Sequence, residues 1–425
     1  MSRKKKYFNF ESSFIILIFL FLFLILFSLK ITNRNLNEFI EIFKYSPKII
    51  KNFYLSNKIE KKKFNIQISV LDIEILKKDL NKTINSYKKL KSYDFQPDNQ
   101  KNLVTVKILD NNQIIKGKAK IKGHAMDHWH YENYSLRIKL NKNFEYENMQ
   151  EFNFQKPETR GFLNEWYFHK FLEFNNLIHL NIMLVEPIFN NKRKKIFLIE
   201  ETFYPEILFK LNKKEGLIFK LFTENLNNEI FDYENKKELS KFIKEKIYLE
   251  KQINSFIKNE ILANEIFDIE KIAKIFAISE VWGYKHGIHS SQIRFYFNPI
   301  TKLVEPIGYD MSLIYNLDTF GPLNSVKYKA KFLKTKNYVS LLLKDETFLK
   351  ELNKQIKIMC DKEHLIKFFE KIKYEAELNK LILYKSFWYK EFINKNNFES
   401  SKYLPFDKDV LFENQKIALK SYGIN

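Results

Sequence analysis

The chain has 425 residues, 45% of them hydrophobic, and carries 72 basic against 51 acidic side chains, a formal net charge of +21. A chain of this length and apolar content can bury a sizeable core, which excludes wholesale disorder. Its single cysteine, Cys360, excludes an intramolecular disulfide and any zinc centre built from several cysteines.

The positive charge comes almost entirely from lysine. The chain has only six arginines, and lysine, asparagine, isoleucine and phenylalanine are abundant while glycine and proline occur nine times each. This pattern indicates a compositional bias spread over the whole surface, so no nucleic-acid partner is predicted. In such a chain, we expect arginine, glycine and tryptophan to remain where the structure requires the particular geometry of these residues. These residues concentrate at about 117–170 and 282–322, where chemistry is expected.

The N-terminal region contains an uncharged apolar stretch, residues 12–29, after a basic tail at residues 1–11. Eighteen such residues are typical of a transmembrane helix, and a cleaved signal peptide is the alternative. The basic tail favours a cytoplasmic N-terminus. We therefore predict a single-pass membrane protein, attached to the membrane through one N-terminal helix, whose C-terminal domain is extracytoplasmic. Residues 30–63 are predicted to be a juxtamembrane stalk.

From residue 64 onward the pattern is that of a globular domain extending to residue 425. Alternating or helical periodicity predicts the following elements in chain order: strand 64–71, helix 73–90, paired strands 103–109 and 113–121, strand 134–140, helix 161–177, hairpin 182–189 and 195–199, helices 236–262 and 269–282, hairpin 292–297 and 303–307, and helices from about 344. Strands come first and helices later. This order predicts an α+β fold with a sheet lobe at about 64–221 and a helical lobe at about 222–425.

The first group of residues that could carry chemistry lies between 120 and 139. The strand Ser135–Lys139 alternates, so Arg137 and Lys139 are expected to point to one face, where they could neutralise phosphates. The alternative is that Lys139 is one of many solvated lysines.

Three histidines precede this strand: His124, His128 and His130, with Asp127 among them. Imidazole groups at this density could bind zinc and support a metal-dependent hydrolase. A hydrogen-bonded turn is the simpler interpretation of the same residues.

The second group lies between 280 and 310. It predicts a helix end, a polar loop, and a hairpin with Gln292 at its entrance and Asp310 at its exit. An amide oxygen and a carboxylate at the base of one hairpin suit magnesium and nucleotide phosphates. The alternative is a plain hairpin in which Asp310 caps the following segment.

The order and spacing of motifs over residues 64–315 resemble those of the spore-coat CotH kinase-like family, in particular its membrane-associated bacterial relatives. The motifs are Lys122-Gly123 with Asp127-His128, Ser135-Leu-Arg-Ile-Lys139, Phe152-Asn-Phe-Gln-Lys-Pro157, Thr159-Arg160, Glu165-Trp166, His169, Leu198-Ile-Glu-Glu-Thr-Phe203, Gly216-Leu-Ile-Phe-Lys220, Trp282-Gly283, His286-Gly287, Arg294-Phe-Tyr296, Asn298-Pro299 and Leu303 to Asp310.

This resemblance implies an atypical protein-kinase-like fold of two lobes, a sheet-rich N-lobe and a helical C-lobe, behind the transmembrane helix. It implies a kinase that binds ATP and Mg²⁺ and phosphorylates a serine, threonine or tyrosine hydroxyl of a protein. Asp310 matches the family's metal-binding aspartate, and Gln292 stands where the family usually has asparagine. The resemblance assigns the nucleotide pocket to five further residues: Arg137, Lys139, Glu200, Glu201 and Lys220.

The chain departs from the family pattern in the loop before Gln292. Family members have an aspartate there, whereas this chain offers only Glu280, His286 and His289. We expect His286 to serve as the general base, because imidazole titrates near neutrality. The same departure favours an alternative function, a catalytically inactive pseudokinase or scaffold that binds a cell-envelope partner.

Overall fold

The computed structural model describes residues 46–90, 102–110, 113–123, 126–129, 133–221, 231–234, 236–290, 292–319, 321–326, 328, 338–387, 406 and 408–424. The helices in these ranges are α1 (Ser46–Lys58), α2 (Val70–Leu90), α3 (Asn164–Phe174), α4 (Glu206–Phe209), α5 (Ile243–Ile257), α6 (Ile269–Trp282), α7 (Tyr338–Leu342), α8 (Glu346–Met359), α9 (Lys362–Phe387) and α10 (Lys408–Ser421). The strands are β1 (Lys63–Ile68), β2 (Val104–Asp110), β3 (Gln113–Ile121), β4 (Leu136–Leu140), β5 (Glu151–Gln155), β6 (Ile182–Phe189), β7 (Lys192–Arg193), β8 (Phe197–Glu201), β9 (Ile218–Leu221), β10 (Phe231–Tyr233), β11 (Arg294–Phe297) and β12 (Val304–Ile307).

The first sheet closes into a seven-stranded barrel. Its strands follow the order β1-β2-β3-β4-β5-β8-β6, and β6 pairs back onto β1. The closing pair is parallel, with Phe64 opposite Pro187, and the other neighbours in this ring are antiparallel. The short strand β7 pairs with β6 beside the ring.

Alternation along the barrel strands separates a buried interior from an outer face. In β4, Leu136, Ile138 and Leu140 are buried in the barrel core, while Arg137 and Lys139 lie on the outside. The predicted orientation of these two basic side chains to one face is confirmed. Two residues of α2, Leu76 and Leu80, are buried in the same cluster, so α2 packs against the barrel.

A second sheet and most of the later helices form the larger core. The sheet has the order β10-β9-β11-β12 and is antiparallel. Its buried residues pack with those of α3, α6, α8 and α10, and Phe171 and Trp282 lie 5.2 Å apart, ring centroid to centroid, in this core. Residues 46–58, within the predicted stalk, form α1, which packs against α9.

The predicted α+β fold with two protein-kinase-like lobes behind a transmembrane helix is wrong. The sheet expected to form the N-lobe is a closed barrel, and the later half of the chain carries a four-stranded sheet of its own. The barrel closes through pairing of β1 with β6, segments more than a hundred residues apart, and local periodicity carries no signal for such a pairing.

The predicted single-pass membrane localisation is likewise corrected for the part of the chain that the structure describes. Of the helices there, none combines the length and the apolar character that crossing a bilayer requires. The predicted segment, residues 12–29, lies outside the described residues.

Candidate functional site

A row of polar side chains crosses the outer face of the barrel. Strand register places Arg137 of β4 opposite Asn153 of β5, and Asn153 opposite Glu200 of β8. Arg137 Nε donates to Asn153 Oδ1 at 3.3 Å, and Asn153 Nδ2 donates to Glu200 Oε2 at 2.9 Å. The row therefore runs from the half-exposed Arg137 to the fully buried Glu200.

Arg160 joins this row to the loop that follows β12. It ends the 3₁₀ turn Pro157–Arg160, and its buried guanidinium faces two carboxylates at once. Nε donates to Glu200 Oε1 at 2.5 Å, Nη2 donates to Glu200 Oε2 at 3.2 Å, and Nη1 donates to Asp310 Oδ1 at 3.1 Å. Nη2 also donates to the hydroxyl of Tyr309. A planar guanidinium with five donors can make all of these contacts together.

Asp310 has a left-handed backbone conformation, with φ of 60°. This conformation is uncommon outside glycine, and residues that adopt it concentrate at functional sites. The loop passes so close to the 3₁₀ turn that a Cβ on Gly161 would lie 2.0 Å from the carbonyl oxygen of Ser312. Glycine at 161 is therefore required for the approach that brings Arg160 to Asp310.

His286 is the more solvent-exposed partner of Asp310. It begins the 3₁₀ turn His286–Ile288, just after α6, and its Nε2 lies 3.2 Å from Asp310 Oδ2. The side chain of His286 is 38% exposed, against 20% for Asp310. The arrangement is an imidazole oriented by a carboxylate, with the imidazole open to solvent, which is the geometry of a general base.

Lys122 supplies a second cation to Glu200. It follows β3, and its Nζ donates to Gln155 Oε1 at 2.6 Å and to Glu200 Oε2 at 3.2 Å. Gln155 Nε2 also donates to Glu200 Oε2. Glu200 is thus the centre of the network, with Arg160 and Lys122 on either side.

The charged side chains around Glu200 determine which groups of the network are ionised. Burial would raise the pKa of Glu200, but Arg160 and Lys122 outweigh this effect and hold that pKa well below its ordinary value. For Asp310 too, the effect of burial is outweighed by Arg160 and His286, which lower its pKa. Burial lowers the pKa of Lys122 to about 7, against the attraction of Glu200.

Four further predicted residues, Glu201, Lys139, Lys220 and Gln292, make contacts with other parts of the chain. The Glu201 side chain points to the other side of β8, where it accepts from the amide of Asn181 and from Lys210. Lys139 is half exposed and donates to the hydroxyl of Tyr204. Lys220 of β9 faces Asp232 at 3.6 Å. The carbonyl of Gln292 accepts from Arg294.

The histidine cluster is described only in part. His128 is buried, with Nδ1 3.0 Å from Ser135 Oγ, and burial lowers its pKa. His124 and His130 lie outside the described residues. Across the described ranges, no three or more histidine, cysteine, aspartate or glutamate side chains are grouped so as to hold a metal ion.

Five residues for which the sequence predicts no role lie in or against the network: Arg160, Lys122, Asn153, Gln155 and Glu165. A usable signal was present for Arg160, because arginine is rare in this lysine-rich chain and the position was expected to need its geometry. The polar residues of β5 offer no such signal, since their role depends on which strands pair.

A scan against models of known protein families gives no match, and no curated protein matches the sequence.

Proposed function

We propose that the site around Asp310 is a phosphoryl-transfer centre that takes ATP with magnesium and passes the γ-phosphate to a protein hydroxyl. The observation that carries the proposal is the position of Asp310: it has a left-handed backbone, is contacted by Arg160 on one oxygen and lies beside the half-exposed His286 on the other. The resemblance to CotH kinase-like proteins points to the same aspartate.

The donor chemistry at Asp310 fits magnesium. The carboxylate is ionised, partly exposed and at the end of a hairpin, and magnesium commonly takes one or two protein carboxylates together with substrate phosphates and water. Asp310 would hold the ion, with Gln292 as the second proposed oxygen ligand. Bound magnesium would neutralise charge on the β- and γ-phosphates.

The cationic residues support the binding of a polyphosphate. Arg137 and Lys139 project from the outer face of β4 with side chains 38% and 50% exposed, so they are accessible to a ligand. Arg160 is buried and keeps Asp310 ionised and oriented. Phosphoryl transfer depends mainly on positioning and charge stabilisation, which these residues can supply.

The proposed role of His286 follows from its exposure. Its Nε2 faces Asp310, which orients the ring. Nδ1 of the ring can then receive the proton of an acceptor hydroxyl as that oxygen bonds to the γ-phosphorus and ADP leaves.

A scaffold without catalysis is the second candidate. It is favoured by the contacts of Asp310, because Arg160 and His286 already lie against its two oxygens and occupy part of the carboxylate that a metal ion would use. In that case Asp310, with its left-handed backbone, would hold the loop after β12 in place through its contacts with Arg160 and His286. The protein would then act by binding a partner.

Transfer of labelled γ-phosphate separates the two. The full chain is incubated with γ-labelled ATP and Mg²⁺, with casein as added acceptor, in wild-type and His286→Gln forms. The proposal predicts label on casein or on the chain itself, reduced by about 10²-fold or more in His286→Gln, with His364→Gln on α9 as the matched control. Binding of ATP without any transfer would favour the scaffold.

A further inference from the structure

The outer face of the barrel carries positive charge beyond the candidate site, on strands β2 and β3. Lys116, Lys118 and Lys120 alternate with buried residues along β3 and therefore point outward, away from the barrel core. Lys107 of β2 lies opposite Lys116. Three of these lysines are exposed, and Lys120 is half-buried. We call the four together the β2–β3 cationic face.

Strand register places like charges directly opposite each other at three positions on this surface. The opposed pairs are Lys107 with Lys116, Lys118 with Lys139, and Lys120 with Arg137. Opposite side chains of an antiparallel pair have Cβ atoms about 5 Å apart, and like charges there destabilise the sheet. Burial lowers the pKa of Lys120, and the charge of Arg137 lowers it further against the opposing effect of Glu151. The arrangement therefore disfavours the fold, and an anionic ligand on this surface would relieve the repulsion.

The β2–β3 cationic face has no acidic partners of its own. Within the described ranges, no carboxylate lies within ion-pair distance of the four lysines. Lys118 donates instead to the hydroxyl of Thr105 at 2.9 Å. On α6, by comparison, Lys274 lies 2.6 Å from Glu270. Positive charge is therefore concentrated on the face and is not balanced within it.

The spacing of these lysines fits an extended acidic polypeptide. Outward side chains along one strand repeat about every 6.8 Å, and alternate side chains of an extended peptide repeat at the same interval. Carboxylates on alternate residues of such a peptide can therefore meet successive lysines of β3. Single-stranded nucleic acid is also anionic, but its bases usually stack on aromatic side chains. Strands β2, β3 and β4, all of them described, contain no aromatic residue.

We propose that the β2–β3 cationic face binds an acidic segment of a partner protein. Lys120 lies opposite Arg137, where the polar row that leads to Glu200 begins, so the face is continuous with the candidate site. The segment would then belong to the acceptor protein of the phosphoryl transfer, held beside the site. That identification rests on the proposed function, whereas binding of the acidic segment does not.

Fluorescence anisotropy tests the binding, with a labelled oligoglutamate peptide titrated by the full chain in the absence of ATP. Two triple variants remove the same amount of charge: Lys116→Gln, Lys118→Gln and Lys120→Gln on the face, and Lys350→Gln, Lys354→Gln and Lys357→Gln at exposed positions of α8. Each exposed ion pair contributes modestly, so the face variant should bind the peptide about tenfold more weakly, and the α8 variant should bind like wild type. Equal weakening in both variants would show that net charge alone attracts the peptide and would overturn the proposal.

Two further measurements separate a peptide-binding face from the alternatives. Oligothymidylate of matched charge should bind more weakly than oligoglutamate, and binding that is as tight or tighter would favour nucleic acid and overturn the proposal. The face variant should unfold at the same or a higher urea concentration than wild type, because it relieves like-charge repulsion. A lower midpoint would assign the lysines to the stability of the barrel and would likewise overturn it.

The transfer assay tests the link to the proposed function. The face variant should raise the KM for casein, which is an acidic protein, and the α8 variant should not. An unchanged KM in the face variant would overturn the identification of the segment as the acceptor. Peptide binding without any transfer of γ-phosphate would support the face and reject only the proposed function.

Discussion

Arg160 Nη1 lies 3.1 Å from Asp310 Oδ1, although 150 residues separate them in the chain. The same guanidinium donates twice to Glu200, so one side chain joins the outer face of the barrel to the loop after β12. The two halves of the candidate site depend on this single residue.

Arg160→Lys should therefore disrupt the site. A lysine ammonium is a point charge that cannot contact Glu200 in a bidentate manner and Asp310 at the same time, which leaves a buried carboxylate poorly compensated. We expect a loss of about 3 kcal/mol or more in the free energy of unfolding, measured by urea denaturation. Arg193→Lys, at an exposed position in β7, is the matched control and should change little. Equal losses in the free energy of unfolding for the two variants would contradict the role assigned to the planar guanidinium of Arg160.

Gly161→Ala tests the close approach of the 3₁₀ turn to the Asp310 loop. Alanine at φ of 57° would place Cβ 2.0 Å from the Ser312 oxygen. Gly423 has a similar φ of 66° but no atom within 4 Å of an added Cβ, so Gly423→Ala reports the backbone cost alone. That cost should be about 1–2 kcal/mol by thermal or urea unfolding, and Gly161→Ala should lose clearly more. A loss no larger than that of Gly423→Ala would mean that the chain at residue 161 has room for a Cβ beside the carbonyl oxygen of Ser312.

The burial of Lys122 predicts a specific pH dependence of the free energy of unfolding. Its pKa falls from 10.5 to about 7 on folding, so the unfolded chain binds more protons than the folded chain between these values. The free energy of unfolding then rises with pH across this window. Wild type should gain stability relative to Lys122→Gln from about pH 7 to pH 10, in urea titrations at successive pH values. The exposed Lys116→Gln, on β3, should follow wild type throughout; a flat difference for Lys122→Gln would refute the assigned shift.

Asn414 ties α10 to the segment after Asp310. This fully buried side chain donates to the carbonyls of Val281 and Tyr315 and accepts from the amide of Leu317. Asn414→Ala would leave these backbone groups without that partner, at a cost of about 1–3 kcal/mol per unsatisfied group. We expect a loss of about 3 kcal/mol in the free energy of unfolding, against almost none for the exposed Asn353→Ala on α8. A small loss would show that water or neighbouring donors replace the asparagine.

Local elements of the fold were predictable from the sequence. The helix Ile269–Trp282 was predicted with the observed bounds, and the hairpin around Asn298-Pro299 pairs Phe297 with Val304 as expected for a short turn. Periodicity succeeds here because each element is decided by residues within a few positions of each other.

The assembly of these elements was not predictable. Pairing of β1 with β6 closes the barrel across a long stretch of chain and overturned the expected fold. Similarly, all five residues of β8 are buried, so no alternation shows that Glu200 faces the site while Glu201 faces away. The closure of the barrel and the facing of Glu200 both depend on contacts between segments distant in sequence. Local sequence patterns carry no information on such contacts.

Calorimetric titration of the full chain with ATP measures whether Asp310 forms part of a site for ATP with magnesium. Asp310→Asn is the sharpest variant, because asparagine tolerates the left-handed backbone and removes only the charge. Asp110→Asn, at the end of β2, is the matched control. Wild type and Asp110→Asn should bind ATP in Mg²⁺, and binding should be lost in Asp310→Asn and in excess EDTA. Equal binding by Asp310→Asn, or no binding by wild type, would contradict the proposed site.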